Sequence, residues 1–168
     1  MLRYKFIFLM LAWLGGALFA AAQALPQELQ QQLSKHLVQA DFSYVSEADV
    51  TIQGEGKLSV QDSCYVLDLG VLKIYCDGKN RWTVDQDAKE VYIERVSGTL
   101  AGAVAGYDIV DAKGLSEGGL MVVVRGSDGT RITLTVPRMK MTAKAEADQF
   151  RFSTSSLGGD WVINDLTE

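Results

Sequence analysis

Between Phe42 and Val60, every apolar side chain except Val45 falls on an even-numbered position. Phe42, Tyr44, Ala48, Val50, Ile52, Leu58 and Val60 share that parity, and Gly54 and Gly56 keep its register. The odd positions, among them Ser43, Glu47, Asp49, Thr51, Gln53, Glu55, Lys57, Ser59 and Gln61, are almost wholly polar. Successive strand side chains point to opposite faces, so the segment reads as strand with one apolar and one wet face. The pattern returns in Arg131 to Lys144, where Ile132, Leu134 and Val136, then Met139, Met141 and Ala143, alternate with polar partners. A sheet that is apolar on one side must cover that side with core, helix or ligand.

The N-terminus has a different grammar. Arg3 and Lys5 precede an uncharged run from Phe6 to Leu18, and Ala20-Ala21-Ala22 and Ala22-Gln23-Ala24 offer small-x-small cleavage sites. This is the pattern of a secretory signal peptide. It assigns residues 1–22 to a leader cleaved after Ala22 or Ala24, and residues 25–168 to one exported domain. No cysteine follows the apolar run to accept a lipid anchor. Loss of the leader takes the basic residues from 16 to 14 against 21 acids, a net charge of about −7. An acidic surface without a basic patch argues against nucleic acid and anionic membranes as partners. Cys64 and Cys76 lie equidistant from Gly70, a turn candidate. In a hairpin centred there they face each other at nearly disulfide range; the alternative is two free, buried, small side chains.

Leu25 to Ala40 reads as a helix, with Pro26 in its first turn and Leu29, Leu33, Leu37 and Ala40 on one stripe. Asp62-Ser63, Gly70 and Asp77-Gly78 then read as turns between short strands. Strands are expected at Arg81–Asp85, with Trp82 and Val84 on one face, and at 90–96, 120–125, 131–136, 138–144, 150–153 and 160–164. Gly98, Gly102 and Gly106 recur among small apolar residues, which suits a short helix or an apolar loop around Val104. The expected class is mainly β with some α.

No catalytic constellation emerges, and no cofactor or metal site. Gly114-Leu115-Ser116-Glu117-Gly118 matches a nucleophile elbow, but a strand follows it and His36, the sole histidine, lies upstream. One histidine and two cysteines twelve residues apart do not make a structural zinc site. Gly54-Glu55-Gly56 lacks the third glycine and the helix of a dinucleotide loop.

Gly54-Glu-Gly56-Lys-Leu58, Asp77-Gly78-Lys79 with Trp82, and Glu90-Val91 resemble the LolA family of bacterial periplasmic lipoprotein carriers and its LolA-like relatives. Ala40-Asp41-Phe42-Ser43, Phe150-Arg-Phe152 and Trp161-Val-Ile-Asn164-Asp165-Leu166 look like the family's first and last strands. Where family members carry a basic residue after the G-x-L strand, this chain has Gln61-Asp62-Ser63. The resemblance implies an unclosed antiparallel β half-barrel with an N-terminal helix and a small helical lid. It implies a periplasmic, monomeric, non-enzymatic carrier for acyl chains of lipoproteins or other lipids, working with membrane-bound donor and acceptor proteins. With the parity above, it lines the cavity with Phe42, Tyr44, Leu58, Val60, Trp82, Val84, Leu134, Met139, Met141 and Phe152. Leu29, Leu33, Leu37 and Val104 become lid residues. The competing expectation is a closed structural or protein-interaction domain whose sheet is filled by its own side chains.

Overall fold

The structure is a computed structural model that describes residues 31, 34–96 and 107–167. Its strands are β1 (Leu37–Glu47), β2 (Thr51–Gln61), β3 (Cys64–Asp68), β4 (Leu72–Cys76), β5 (Asn80–Asp85), β6 (Glu90–Arg95), β7 (Tyr107–Gly114), β8 (Leu120–Gly126), β9 (Arg131–Val136), β10 (Met139–Thr142) and β11 (Val162–Asp165). They form one unclosed sheet in the order β11-β6-β5-β4-β3-β2-β1-β9-β8-β7, with β10 also paired to β1. Neighbours run antiparallel, except that β11 joins β6 in parallel.

Two expectations about helix are corrected. Among the described residues the chain is nearly all β, helical at Gln31, Ser34 and Lys35 but with no helix of seven or more residues, so neither the expected N-terminal helix nor the helical lid belongs to the described fold. Leu37 to Ala40, expected to end the helix, instead open β1; all four pair with β10, and Val38 to Ala40 pair with β2 as well. Ladder hydrogen bonds on both sides of β1 outweigh the weak local preference expressed by a leucine stripe. Leu37 is thus a buried strand residue rather than a lid residue. Leu29, Leu33 and Val104 lie outside the described residues. The segment 150–153, expected as strand, is the end of a 3-10 turn (Ala147–Phe150) followed by irregular chain. Strand β7 had no expectation in the sequence.

The opening pattern folds as its parity requires. In the β1–β2 hairpin, Phe42 faces Gly56 and Tyr44 faces Gly54. A Cβ on Gly56 would sit 2.6 Å from the Phe42 ring, and one on Gly54 2.7 Å from the Tyr44 hydroxyl. The glycines let two aromatic rings lie flat across the neighbouring strand. Strands β9 and β10 run along the same side of β1, and their register shifts by one residue across Pro137 and Arg138. Proline cannot donate to the ladder, so the break falls where the sequence puts it.

Residues paired across strands share a face, and the pairings trace two. The inner face carries Val38, Phe42, Val60, Tyr65, Leu67, Ile74, Val122, Val124, Ile132 and Leu134, among others, in one buried cluster. That cluster joins β3 and β4 to β8 and β9, which are well separated in the sheet, so the sheet curls around this face. On β5 and β6 the same face becomes polar. Cys76 pairs with Arg81, Ile74 with Thr83 and Leu72 with Asp85. Trp82, Val84, Val91 and Ile93 point outward instead.

The outer face of this half is closed by the C-terminal segment. The Gln61 amide donates to the Ala145 carbonyl at 2.9 Å and accepts from the Ala145 N–H at 2.8 Å. Arg151 binds Asp77 at 3.0 Å, and Phe152 packs on Tyr75 with ring centroids 5.4 Å apart. Phe150 is buried at 1 % exposure. Lys89 then pairs with Asp160, and β11 adds to the edge beside β6.

Candidate functional site

Among the described residues, the strand pairings assemble the expected site on the inner face. It brings together Phe42, Tyr44, Leu58, Val60, Leu134, Met139 and Met141 from β1, β2, β9 and β10. Phe42, Val60 and Leu134 sit in the buried cluster, while Tyr44, Leu58 and Met139 pack half-buried against it. Met141 is 42 % exposed at the rim. Phe42 and Tyr44 lie side by side with ring centroids 6.4 Å apart.

Trp82, Val84 and Phe152 are not part of it. The turn between β4 and β5 pairs Cys76 with Arg81, so Trp82 and Val84 face the outer layer. Phe152 is there too, against Tyr75. Even parity therefore does not carry from β4 into β5, because hairpin length resets the face.

The same arithmetic undoes the expected disulfide. Leu69 N–H bonds to Leu72 O, making a two-residue turn of Gly70 and Val71, with Gly70 at φ +83°. The Asp68 carboxylate accepts from the Gly70 N–H at 2.9 Å and fixes that geometry. The centre of the hairpin thus lies between Gly70 and Val71, and Cys76 faces Tyr65. Cys64, one residue earlier, points to the other face, and both thiols are free. Burial pushes both thiols above their ordinary pKa, with Asp77 raising each further, so they are poor nucleophiles at neutral pH.

At the boundary between the apolar and polar halves of the inner face lies a polar cluster that sequence reasoning missed. Tyr65, Cys76, Arg81 and Glu94 form one cross-strand row over β3 to β6. Arg81 donates to the Glu94 carboxylate through Nε at 3.1 Å and Nη2 at 2.6 Å. Tyr65 and Cys76 lie beside the pair in the same row. Burial opposes the charge on Arg81, but the Glu94 carboxylate, with Tyr65 beside it, more than offsets it and holds the pKa above its usual value. Burial raises the Tyr65 pKa well beyond the ordinary phenol range. The Arg81 side chain is 20 % exposed and that of Glu94 38 %. The signal for Arg81 was available only through the β4–β5 register.

An open groove of about 520 Å3 lies mainly on the opposite, outer side of β1 to β3, lined by Asp41, Phe42, Ser43, Glu55, Gly56, Lys57, Asp68, Gly70 and Pro137. Its exposed lining is more apolar than polar, and of the expected cavity residues it holds Phe42. The Gly114–Gly118 motif is a turn between β7 and β8, with Glu117 at φ +62° and Gly118 at φ +76°. A strand on each side leaves no helix to support a nucleophile there.

No family model matches the chain, and no curated protein matches it in sequence. Among solved structures it is similar to an uncharacterized conserved protein from Thermus thermophilus. That similarity has 12 % identity and a TM-score of 0.48, covering 83 % of this chain and 98 % of that one.

Proposed function

We propose that the protein is a non-enzymatic periplasmic carrier that holds the acyl chains of a lipoprotein or another lipid against the inner face of its sheet. The observation that carries this reading is an unclosed sheet whose apolar face has a half-buried rim of Tyr44, Leu58, Leu69, Leu120 and Met139. Each acyl methylene leaving water gains ~0.8 kcal/mol, so a partly sheathed chain already binds usefully. Methionine and aromatic walls adapt to a flexible chain. Loading exchanges contacts within the cluster for contacts with the ligand, and an unclosed sheet can widen to allow it. The resemblance of Gly54 to Ile93 to the LolA-like carriers points the same way.

Native mass spectrometry of protein purified without detergent tests the reading. A reproducible adduct of lipid or acylated-peptide mass is the expected result. A clean apo mass that stays unchanged when acyl ligands are added would overturn it. That outcome would favour a closed interaction domain, a reading supported by the complete burial of Leu67, Ile74, Val124 and Ile132.

A further inference from the structure

The row Val38, Val60, Tyr65, Cys76, Arg81 and Glu94 crosses six strands on one face of the sheet. Its first two members are aliphatic, Tyr65 and Cys76 follow, and its last two are a guanidinium and a carboxylate. Four strand spacings of ~4.8 Å separate Val38 from Arg81, a span of ~19 Å. An extended acyl chain of medium length fits that distance. The row therefore has the polarity of an amphiphile: apolar at one end, cationic at the other.

On the strength of the carrier reading, we infer that Arg81 anchors an anionic oxygen headgroup, so the cargo is an acidic amphiphile, a fatty carboxylate or an alkyl phosphate. Its chain lies across the strands toward Val60 and Val38. Arginine presents a planar fork of donors that matches a carboxylate or phosphate, and it stays charged when desolvated. In the free protein Glu94 occupies the fork. Glu94 is the more exposed partner of the pair, so it can turn into solvent when a ligand anion replaces it. The Tyr65 hydroxyl, on the same face one strand beyond Cys76, is the polar neighbour that keeps the guanidinium aimed during that exchange. Glu94 thus acts as a stand-in for the headgroup. Without it an empty site would leave a buried charge unpaired.

The test compares laurate, dodecyl phosphate and methyl laurate as displacers of a fluorescent acyl probe from delipidated protein. Both anions are expected to bind about tenfold tighter than the ester, the worth of a charge-assisted hydrogen bond. Arg81→Gln should erase that preference and leave ester affinity unchanged. Glu94→Gln should tighten both anions several-fold without affecting the ester, because the competitor for Arg81 is gone. A merely structural ion pair would weaken all three ligands together in either variant. Circular dichroism and an unfolding midpoint establish that each variant folds, and the Glu94→Gln arm stands if Arg81→Gln does not. Inorganic phosphate should fail to displace the probe; competition by it would mean an anion site independent of any chain. Equal binding of acid and ester by the unaltered protein would overturn the anchor and leave the carrier intact. Failure of every acyl ligand to bind would overturn both.

Discussion

Trp82 pairs with Tyr75 on one side and Ile93 on the other, and Tyr75 in turn packs on Phe152. Its ring therefore supports the outer layer and is separated from the inner face by the sheet itself. Trp82→Ala should cost on the order of 2 kcal/mol, less than the ~3–5 of a fully buried aromatic, because the side chain is only half-buried. Acyl affinity should not change. Leu58→Ala, on the inner rim, should reverse the pattern, weakening acyl binding severalfold at a smaller cost in stability. Denaturant unfolding and probe titration of the two variants read this directly. Loss of acyl affinity in Trp82→Ala at unchanged stability would place the ligand on the outer face. The sidedness of Phe42, Tyr44, Leu58 and Val60 was legible because β1 and β2 are long and their alternation uninterrupted. Trp82 and Val84 were misplaced because their alternation is equally clean but has no phase of its own. Only the length of the turn at Gly78 and Lys79 decides which face an even number means.

Elements show the same limit in another form. The turns at Asp62-Ser63 and Asp77-Gly78 were readable from residue chemistry, and Asp62 and Gly78 do adopt positive φ. The segment after β10 was not readable, since Phe150 and Phe152 alternate like strand residues while packing as irregular chain over β3 and β4. What fixes that segment is a long-range pairing no local pattern announces. The Gln61 amide imitates a strand backbone, giving and taking one hydrogen bond with Ala145. Gln61 is 7 % exposed, so both Ala145 groups depend on it. Gln61→Leu keeps the bulk, removes both bonds and should destabilise the fold by about 2 kcal/mol. Hydrogen exchange should quicken at Ala145 and through Phe150 while β8 and β9 stay protected. Uniform quickening across the sheet would mean the C-terminal segment is integral to the main core rather than a separately held cover.

At the scale of the whole molecule, two apolar layers on opposite faces share one sheet, and the strap over the outer layer is tied down by carboxylates. Burial alone would raise the Asp77 pKa. The Asn80 and Lys79 N–H groups and the Arg151 guanidinium outweigh it and hold the carboxyl below its usual value. Asp68 is lowered likewise, its burial outweighed by Lys73 and the Gly70 N–H. A carboxylate whose folded pKa is depressed contributes stability that is fully present above the unfolded value of ~3.9 and is lost as pH falls through the folded one. The melting temperature should therefore be nearly level from pH 7 to about 5 and fall steeply below about 4. Relief of the acidic surface's self-repulsion acts in the opposite direction, but through a screened, solvent-exposed field. Direct bonds to a side chain that is 6 % exposed, as that of Asp77 is, should win. Asp77→Asn isolates the effect. The variant should melt lower at pH 7, show a shallower acid slope, and converge on the unaltered protein once the pH has fallen through the folded pKa of Asp77, below which both carry a neutral side chain. Two profiles that stay parallel through that range would show that the acid lability resides elsewhere and that the strap does not depend on the charge of Asp77.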